Sequence, residues 1–279
     1  MLYDTIRWEE KAIVSAAEKL GVKVNLTDSK GLDIDINSRK TGITDKVVLQ
    51  RCVSYFRNVH STAALEAADI RVVNCFDSAW TCGNKLFGTL QLVRRGVPTP
   101  KTRLSFTEEA ALRSAARLGY PAVIKPVVGS WGRLSALLKD EDFAKAVLED
   151  REYMFPLYQV YYLQEFVKRP PRDIRSFVIG GRTVAAIYRY SGSTDWRTNT
   201  ARGGKAEACK IDKELDELSI RAASATKCEI AGVDLMESES EGLLVHEVNN
   251  TTEFKNTVPA TGVDIPKLIV DYLVTLQKR

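Results

Sequence analysis

The sequence AGVDLMESESEGLLVHEVNN, residues 231–250, carries the pattern that decides the fold of the C-terminal half. Two mostly apolar runs flank a short polar stretch, which predicts two antiparallel strands joined by a tight turn. With the turn centred on Ser240 and Glu241, Asp234 lies opposite Glu247, and facing residues share one face of a hairpin. The hairpin therefore predicts two facing carboxylates.

Alternation along the second strand extends this acidic face. A period of two places Val245, Glu247 and Asn249 on one side, with His246 facing away. Two carboxylates in an apolar frame resist burial unless a cation neutralises them. Oxygen ligands without histidine or cysteine favour Mg²⁺ or Mn²⁺. The candidate metal ligands are Asp234, Glu247 and Asn249; the alternative is that one carboxylate faces solvent.

Elements around the hairpin predict an antiparallel α+β half. Strands are predicted at 122–125, 134–138, 159–167, 174–179, 183–190, 230–236 and 243–249, with helices at 212–227 and 266–277. Glycines mark hairpin joints at 129–132 and 180–181. Upstream, a helix capped by Thr107 ends at Gly119, and 96–102 is predicted as a linker.

The N-terminal part follows a different pattern, in which helices and strands alternate. Helices are predicted at 8–20, 54–68 and 78–94, and strands at 22–26, 46–50 and 70–74. This alternation is typical of a small parallel sheet with helices on its faces. The predicted fold class is therefore α/β followed by α+β.

Composition excludes several classes of function. The 279 residues include only two histidines and five scattered cysteines, none in CxxC spacing. This excludes four kinds of site: a Ser–His triad, a multi-histidine metal site, a zinc knuckle and a CxxC redox pair. The net charge of +4 favours anionic partners but is too small to predict nucleic-acid binding. Without a membrane-length apolar run or a signal pattern, a cytoplasmic protein with no membrane partner is expected.

A glycine-bearing loop occurs in VIKPVVGSWGRL, residues 123–134. A strand ends in Lys125, a loop follows, and a second strand begins. Glycines let main-chain N–H groups approach phosphate oxygens, and the basic side chains add charge. The Walker order is absent, and the flanks predict strand–loop–strand instead of strand–loop–helix. A hairpin turn with incidental basic residues is the alternative.

Two further stretches carry polar groups. In LQEFVKRPPRDIR, residues 163–175, a strand with a single acid, Glu165, could offer main-chain groups to an adenine. Prolines then free the chain from the ladder, and Asp173 and Arg175 share one strand face. An edge strand with a surface ion pair is the alternative.

WRTNTARGG, residues 196–204, is a loop whose amide and guanidinium suit a phosphorylated intermediate.

Taken in order, these segments resemble the RimK-like branch of the ATP-grasp superfamily over nearly the whole chain. Supporting stretches are YDTIRWEEK at 3–11, GNKLF at 83–87, NTARGG at 199–204 and HEVNNTTEFKNT at 246–257. The resemblance implies an ATP-grasp fold with a Rossmann-like pre-ATP-grasp α/β domain at 1–80. A central lid subdomain at 81–160 and a C-terminal antiparallel-sheet subdomain at 161–279 follow. The chain starts so close to YDTIR that a shortened first strand is expected.

The resemblance also implies residues that bind ATP and magnesium. Lys85 and Lys125 are implied to contact its phosphates and adenine. The glycine-rich lid matches Gly129, Ser130, Trp131, Gly132, Arg133, Leu134 and Ser135, and the adenine segment matches Gln164, Glu165, Phe166 and Val167. Asp173 and Arg175 are implied to close the nucleotide pocket, and Asn199 to face ATP. The family's magnesium ligands match Asp234, Glu247 and Asn249, the set that the hairpin argument reaches independently.

Substrate residues are implied in the same way. Contacts to an amino acid match Arg189, Thr200, Ala201, Glu253, Phe254, Lys255, Asn256 and Thr257. Within the branch, the sequence is most similar to ligases for 2-aminoadipate, which carry Asn followed by Thr or Ser at positions 256–257. Close relatives that use glutamate carry Gly–Phe there. A polar pair fits the longer acid, although one methylene discriminates by only about 1–3 kcal/mol.

The implied reaction is an ATP-dependent ligation in lysine biosynthesis. ATP phosphorylates the side-chain carboxylate of a carrier protein's C-terminal glutamate, and the α-amino group of 2-aminoadipate attacks the acyl phosphate. Arg175 and Arg202 are candidate catalytic residues that stabilise the transferring phosphoryl group. No histidine is expected at the amine, so the base that deprotonates the amine is not assigned.

The expected partners are a small acidic carrier of the LysW type and further copies of the chain, as a homotetramer. Alternatives are a glutamate–carrier ligase of arginine biosynthesis and a non-catalytic ATP-binding interaction module.

Overall fold

Helices and short parallel strands alternate in the N-terminal part, as predicted. The computed structural model describes residues 1–130, 132–190 and 205–278. The N-terminal elements are β1 (Leu2–Tyr3), α1 (Trp8–Lys19), β2 (Thr27–Asp28), β3 (Val47–Leu49), α2 (Tyr55–Ala67), β4 (Arg71–Val73), α3 (Phe76–Cys82) and α4 (Lys85–Arg94). β1 pairs with β2 and β3 pairs with β4, both in parallel. A bridge between Leu2 and Gln50 links the two pairs.

Two predictions for this part are wrong. Residues 22–26 form no strand, because the two-residue β1 pairs further along, with Thr27–Asp28. The predicted helix 78–94 is two helices, because a new N-cap starts the second one. The Asn84 side chain accepts hydrogen bonds from the N–H groups of Leu86 (3.0 Å) and Phe87 (3.4 Å).

The middle of the chain forms a four-stranded antiparallel sheet in the order β5-β8-β6-β7. Its elements are β5 (Thr102–Ser105), α5 (Glu108–Leu118), β6 (Ala122–Lys125), β7 (Ala136–Leu138), α6 (Glu141–Glu152) and β8 (Tyr161–Glu165). Ile124, Leu138 and Leu163 pack with both helices into one core. The predicted linker ends where β5 begins, α6 was not predicted, and the strands predicted at 134–138 and 159–167 are shorter.

The C-terminal half is built on a five-stranded sheet in the order β11-β10-β9-β12-β13. Its elements are β9 (Arg172–Ile179), β10 (Arg182–Tyr190), β11 (Ala206–Ala208), α7 (Lys213–Ala225), β12 (Ile230–Ser238), β13 (Gly242–Asn249), α8 (Thr257–Thr261) and α9 (Ile265–Gln277). The short strand β11 was not predicted. Because β9 lies between β10 and β12, the edge-strand alternative for residues 163–175 is wrong.

The register of the β12–β13 hairpin confirms the predicted facing carboxylates. Asp234 pairs with Glu247, but Leu235 pairs with Val245, so His246 is an extra residue in a β-bulge. The bulge shifts the side-chain alternation. Val245 is fully buried in the apolar core, whereas His246 turns toward the opposite face with the carboxylates. The prediction that Val245 shares the acidic face and that His246 faces away is therefore wrong.

Apolar side chains alternate across this sheet and fix the helices on its two faces. Val178 packs with α7 on one face, and Phe177 packs with α1 and α9 on the other. Through α1, the N-terminal part therefore packs against the sheet that holds the acidic residues. Among the described residues, no helix combines the length and hydropathy needed to cross a membrane.

Candidate active site

A cavity of about 510 Å³ lies where the N-terminal part and both larger sheets meet. Its wall includes most of the residues predicted for the site: Lys85, Lys125, Gly129, Ser130, Gly132, Ser135, Gln164, Glu165, Phe166, Val167, Asp173, Arg175, Arg189, Asp234, Glu247, Asn249 and Glu253. Segments far apart in sequence are thus brought to one place. The cavity is in the size range of small-molecule sites.

Other predicted site residues lie away from this wall. Arg133 and Leu134 are exposed at the tip of the β6–β7 hairpin, and Lys255 and Asn256 are exposed as well. Phe254 is buried in the core against Trp8. Thr257 is buried at the start of α8. The predictions for Trp131, Asn199, Thr200, Ala201 and Arg202 lie outside the described residues.

Lys125 ends β6 inside the cavity and is almost fully buried. Its ammonium donates to Gln164 Oε1 at 2.7 Å and to His246 Nε2 at 2.5 Å. Burial lowers the pKa of Lys125 to about 7, while Glu247 opposes the shift and Lys85 adds to it. Burial, and then Lys125, lower the pKa of His246 well below its usual value. His246 is therefore an uncharged acceptor, and sequence reasoning missed it because the bulge leaves no sequence signal.

Lys85 stands across from Lys125 at the glycine loop. Its N–H donates to the Val127 carbonyl at 2.7 Å, and its ammonium donates to the Gly129 carbonyl at 2.5 Å. The break between α3 and α4 places Lys85 at the first turn of α4, against this loop. Gly132 has φ of 64°, a conformation that favours glycine. The loop therefore presents main-chain groups and an ammonium to the same part of the cavity.

The end of β8 forms the wall beside Lys125. Gln164 is buried and donates to Thr102 Oγ1 and to the Tyr162 hydroxyl, both at 3.2 Å. The Glu165 carboxylate accepts from the Lys101 N–H at 2.7 Å, so it is tied to the main chain just before β5. The ladder ends at Glu165, and Phe166 and the following valine continue along the cavity. This placement is compatible with the predicted adenine-binding segment.

Four charged side chains from three neighbouring strands form a layer on the cavity floor, and three of them, Asp173, Arg189 and Asp234, are buried. Arg175 donates to both oxygens of Asp234 at 2.7 Å. Arg189 donates to both oxygens of Asp173, at 2.7 and 2.8 Å, and lies 3.0 Å from Asp234. Although burial raises the pKa of Asp234, Arg175 and Arg189 hold that pKa well below its usual range. Arg189 is thus fully engaged by two carboxylates in this structure.

The donor set near this layer partly fits a divalent cation. Glu247 and Asn249 lie side by side, with Asn249 Nδ2 at 3.4 Å from Glu247 Oε1. Their oxygens and the Asp234 carboxylate are the hard ligands that Mg²⁺ prefers. However, Asp234 is bound by two guanidinium groups, and the described residues contain no group of three His, Cys, Asp or Glu side chains arranged to hold a metal ion. A cation would have to compete with Arg175 for Asp234, so the metal assignment stays a prediction.

An ion network at the cavity edge was also missed by sequence reasoning. Arg7 lines the cavity, and its guanidinium binds Glu10 and reaches Glu253. Arg51 holds the same Glu10 and donates to the Thr252 carbonyl at 3.2 Å. The only sequence signal was a run of charged residues at the start of α1, which is equally typical of a solvated helix end.

If the cavity binds ATP, as the resemblance implies, the lowered pKa of Lys125 predicts that ATP affinity depends on pH. Phosphates favour the ammonium form, so above about pH 7 the lysine must take up a proton when ATP binds. The dissociation constant for ATP should then rise by up to roughly fivefold from pH 7 to pH 8. Titration calorimetry in buffers of different ionisation enthalpy measures both the constant and the proton uptake. Lys125→Met is the control, and an equal pH dependence in this variant would contradict the assignment.

Comparison with known families gives two matches that together span nearly all of the chain. Residues 82–273 match the RimK-like ATP-grasp domain. Residues 1–81 match the LysX preATP-grasp domain. The junction between the matches falls at the end of α3, just before Lys85.

Similar proteins were found at both the sequence and the structure level. An alpha-aminoadipate–LysW ligase, LysX, of Saccharolobus solfataricus is 39% identical over 95% of this chain and 96% of its own length. A glutamate–LysW ligase, ArgX, of Sulfolobus acidocaldarius is 32% identical over 98% and 96%. A RimK domain ATP-grasp protein of Sphaerobacter thermophilus has the same fold, with a TM-score of 0.81, 24% identity, and 97% and 98% of the two chains covered.

Proposed function

The chain belongs to the RimK-like ATP-grasp family of ATP-dependent carboxylate–amine ligases, and on that premise we propose that it joins 2-aminoadipate to a carrier protein. The acceptor is the C-terminal glutamate of a small acidic carrier of the LysW type. The family match confirms the family and fold predicted from the sequence. The higher identity to a LysX than to an ArgX relative supports the choice of amino acid.

The cavity contains groups that would serve an acyl-phosphate route. The carrier carboxylate attacks the γ-phosphorus of ATP and ADP leaves; the amine of 2-aminoadipate then attacks the acyl carbon and phosphate leaves. We assign Lys85, Lys125 and the glycine loop to the ATP phosphates. Arg175, on the cavity floor, stabilises charge on the transferring phosphoryl oxygens. The observation that carries the proposal is the convergence of these cations with Asp234 and Glu247 in one cavity.

A divalent cation bound by Asp234, Glu247 and Asn249 would neutralise the phosphate charge and orient the nucleotide. Closure of the glycine loop would exclude water, which otherwise hydrolyses the acyl phosphate. His246 lies in the cavity, contrary to the expectation from the sequence. Because it already accepts a hydrogen bond from Lys125, we do not assign it as the base for the amine.

Ligation of glutamate is the second candidate, since the ArgX relative covers the chain almost completely. Parallel assays of ATP consumption with 2-aminoadipate and with glutamate, carrier present, separate the two. We expect kcat/KM to be higher for 2-aminoadipate by roughly 10-fold or more, the range one methylene can supply. Preference for glutamate would contradict the substrate assignment, and no carrier-dependent turnover with either amino acid would contradict the ligation itself.

A further inference from the structure

A buried chain of charges runs from the protein interior to the edge of the cavity. Arg51 and Glu10 are 2% and 1% exposed, and Arg51 Nε donates to Glu10 Oε1 at 2.8 Å. Glu10 in turn accepts from Nη2 and Nε of Arg7, at 2.8 and 3.1 Å. Burial raises the pKa of Glu10, but Arg7 and Arg51 outweigh this effect and lower that pKa to about 2. The chain contains two guanidinium groups and the Glu10 carboxylate, and the neighbouring Glu9, which is also buried, adds a second negative charge near both arginines.

This arrangement fixes the position of the Arg7 guanidinium. One edge, Nε and Nη2, is occupied by Glu10, which Arg51 holds from behind. The remaining nitrogen, Nη1, contacts Glu253 Oε1 at 3.3 Å, which is longer than the contacts to Glu10. The Glu253 side chain is 43% exposed, so it can leave for solvent at small cost. Arg7 is thus a rigidly supported cation with a weakly held anion on its cavity side.

Burying these charges costs free energy, which suggests that the network does more than pack α1 against the rest of the protein. Apolar residues of similar volume often replace a buried ion network without loss of stability. Apolar packing could therefore join α1 to the segment around Thr252 equally well. What apolar packing cannot provide is an oriented positive charge on the cavity wall.

We propose that Arg7 binds a substrate carboxylate that is not phosphorylated, in place of Glu253. The inference rests on the proposed function, because both substrates of that reaction carry such a carboxylate. The carrier's terminal glutamate has a main-chain carboxylate beside the side chain that reacts, and 2-aminoadipate has two. An arginine whose far edge is already fixed loses little entropy when it binds a carboxylate.

The other cations on the described cavity wall are already engaged by protein groups. Arg175 and Arg189 bind Asp234 and Asp173, and both lysines donate to acceptors near the glycine loop and β8. Arg169 donates to the carbonyls of Pro170 and Arg172. Arg7 lies just before α1 and contacts Glu253 at 3.3 Å. This position suits a carboxylate remote from the phosphates.

Equilibrium binding to the full chain with ADP and Mg²⁺ present tests the proposal without turnover. One probe is N-acetylglutamate, which stands in for the carrier's terminal residue, and the other is 2-aminoadipate. Arg7→Gln should weaken one of them by roughly 10- to 100-fold, the value of a charge-assisted hydrogen bond. The affected probe identifies the source of the carboxylate. ADP affinity should stay unchanged.

Two further variants separate binding from a structural tie. Glu253→Gln removes the competing carboxylate and should make the same probe bind more tightly. Arg57→Gln is a charge-matched control, because Arg57 is exposed, outside the cavity wall and near Asp4 at 3.6 Å. It should bind both probes like the wild type.

Several outcomes would overturn the inference. Equal binding of both probes to Arg7→Gln and the wild type would do so. So would equal weakening in Arg7→Gln and Glu253→Gln with a lower melting temperature in both, since that is the behaviour of a structural pair. Failure of the wild type to bind either probe would also overturn it. If probes bind as expected but no ligation occurs in the carrier assay, the proposed function fails and the carboxylate site stands.

Discussion

Replacement of Glu247 by glutamine is expected to lower ligation turnover by roughly 100- to 1,000-fold, with the fold intact. Glutamine keeps the shape of the side chain but removes its charge. In the proposed site this loses an anionic ligand for the divalent cation. It also removes the carboxylate that favours the charged form of Lys125. Both losses act where ATP phosphates are expected to lie.

The measurement for Glu247 is kcat at saturating ATP over a wide range of Mg²⁺ concentration. High Mg²⁺ should restore part of the activity, because a weakened site still fills by mass action. Glu237→Gln is the matched control, since Glu237 lies on β12 and pairs with Arg172 away from the cavity wall. Wild-type turnover in Glu247→Gln would contradict the metal assignment.

Replacement of Arg51 by methionine is expected to destabilise the protein by about 3–5 kcal/mol. The side chain is buried, and its removal leaves Glu10 facing Arg7 alone and the Thr252 carbonyl without two donated hydrogen bonds. A buried carboxylate that loses one of two cationic partners keeps its desolvation cost with less compensation. Methionine restores much of the volume, so the effect reports charge and hydrogen bonding more than a cavity.

Urea unfolding of Arg51→Met against Arg71→Met provides the comparison. Arg71 pairs with Glu229 at 2.8 Å, but its side chain is 52% exposed. An exposed pair of this kind contributes about 0–1 kcal/mol. Similar shifts in the unfolding midpoint for both variants would show that the buried network contributes no more to stability than a surface ion pair.

Local patterns predicted much of the fold because they determine secondary structure directly. The β12–β13 hairpin followed from alternation and turn composition, and its register placed Asp234 opposite Glu247 as predicted. The bulge at His246 was not predictable, because it depends on how the hairpin fits the neighbouring sheet. The break before Lys85 was missed for a similar reason. Asn84 caps a helix, but the same residue is tolerated within one.

In the candidate site, too, the residues that belong to local sequence patterns were predicted, and those that depend on long-range contacts were not. Lys85, Lys125 and the acidic residues of the hairpin converge in the cavity, as expected for one site. Arg7 was missed because its role depends on a network that joins residues over 240 positions apart in the chain. The proposed substrate pair at 256–257 does not reach the cavity wall in this structure, so its role stays a prediction.

The position of the divalent cation tests the central claim most directly. Anomalous diffraction from crystals grown with Mn²⁺ and a non-hydrolysable ATP analogue locates the ion without assumptions about activity. The account predicts an anomalous peak in contact with side-chain oxygens of Asp234, Glu247 and Asn249 and with the nucleotide phosphates. A peak elsewhere, or a bound nucleotide whose phosphates lie away from these residues, would contradict it.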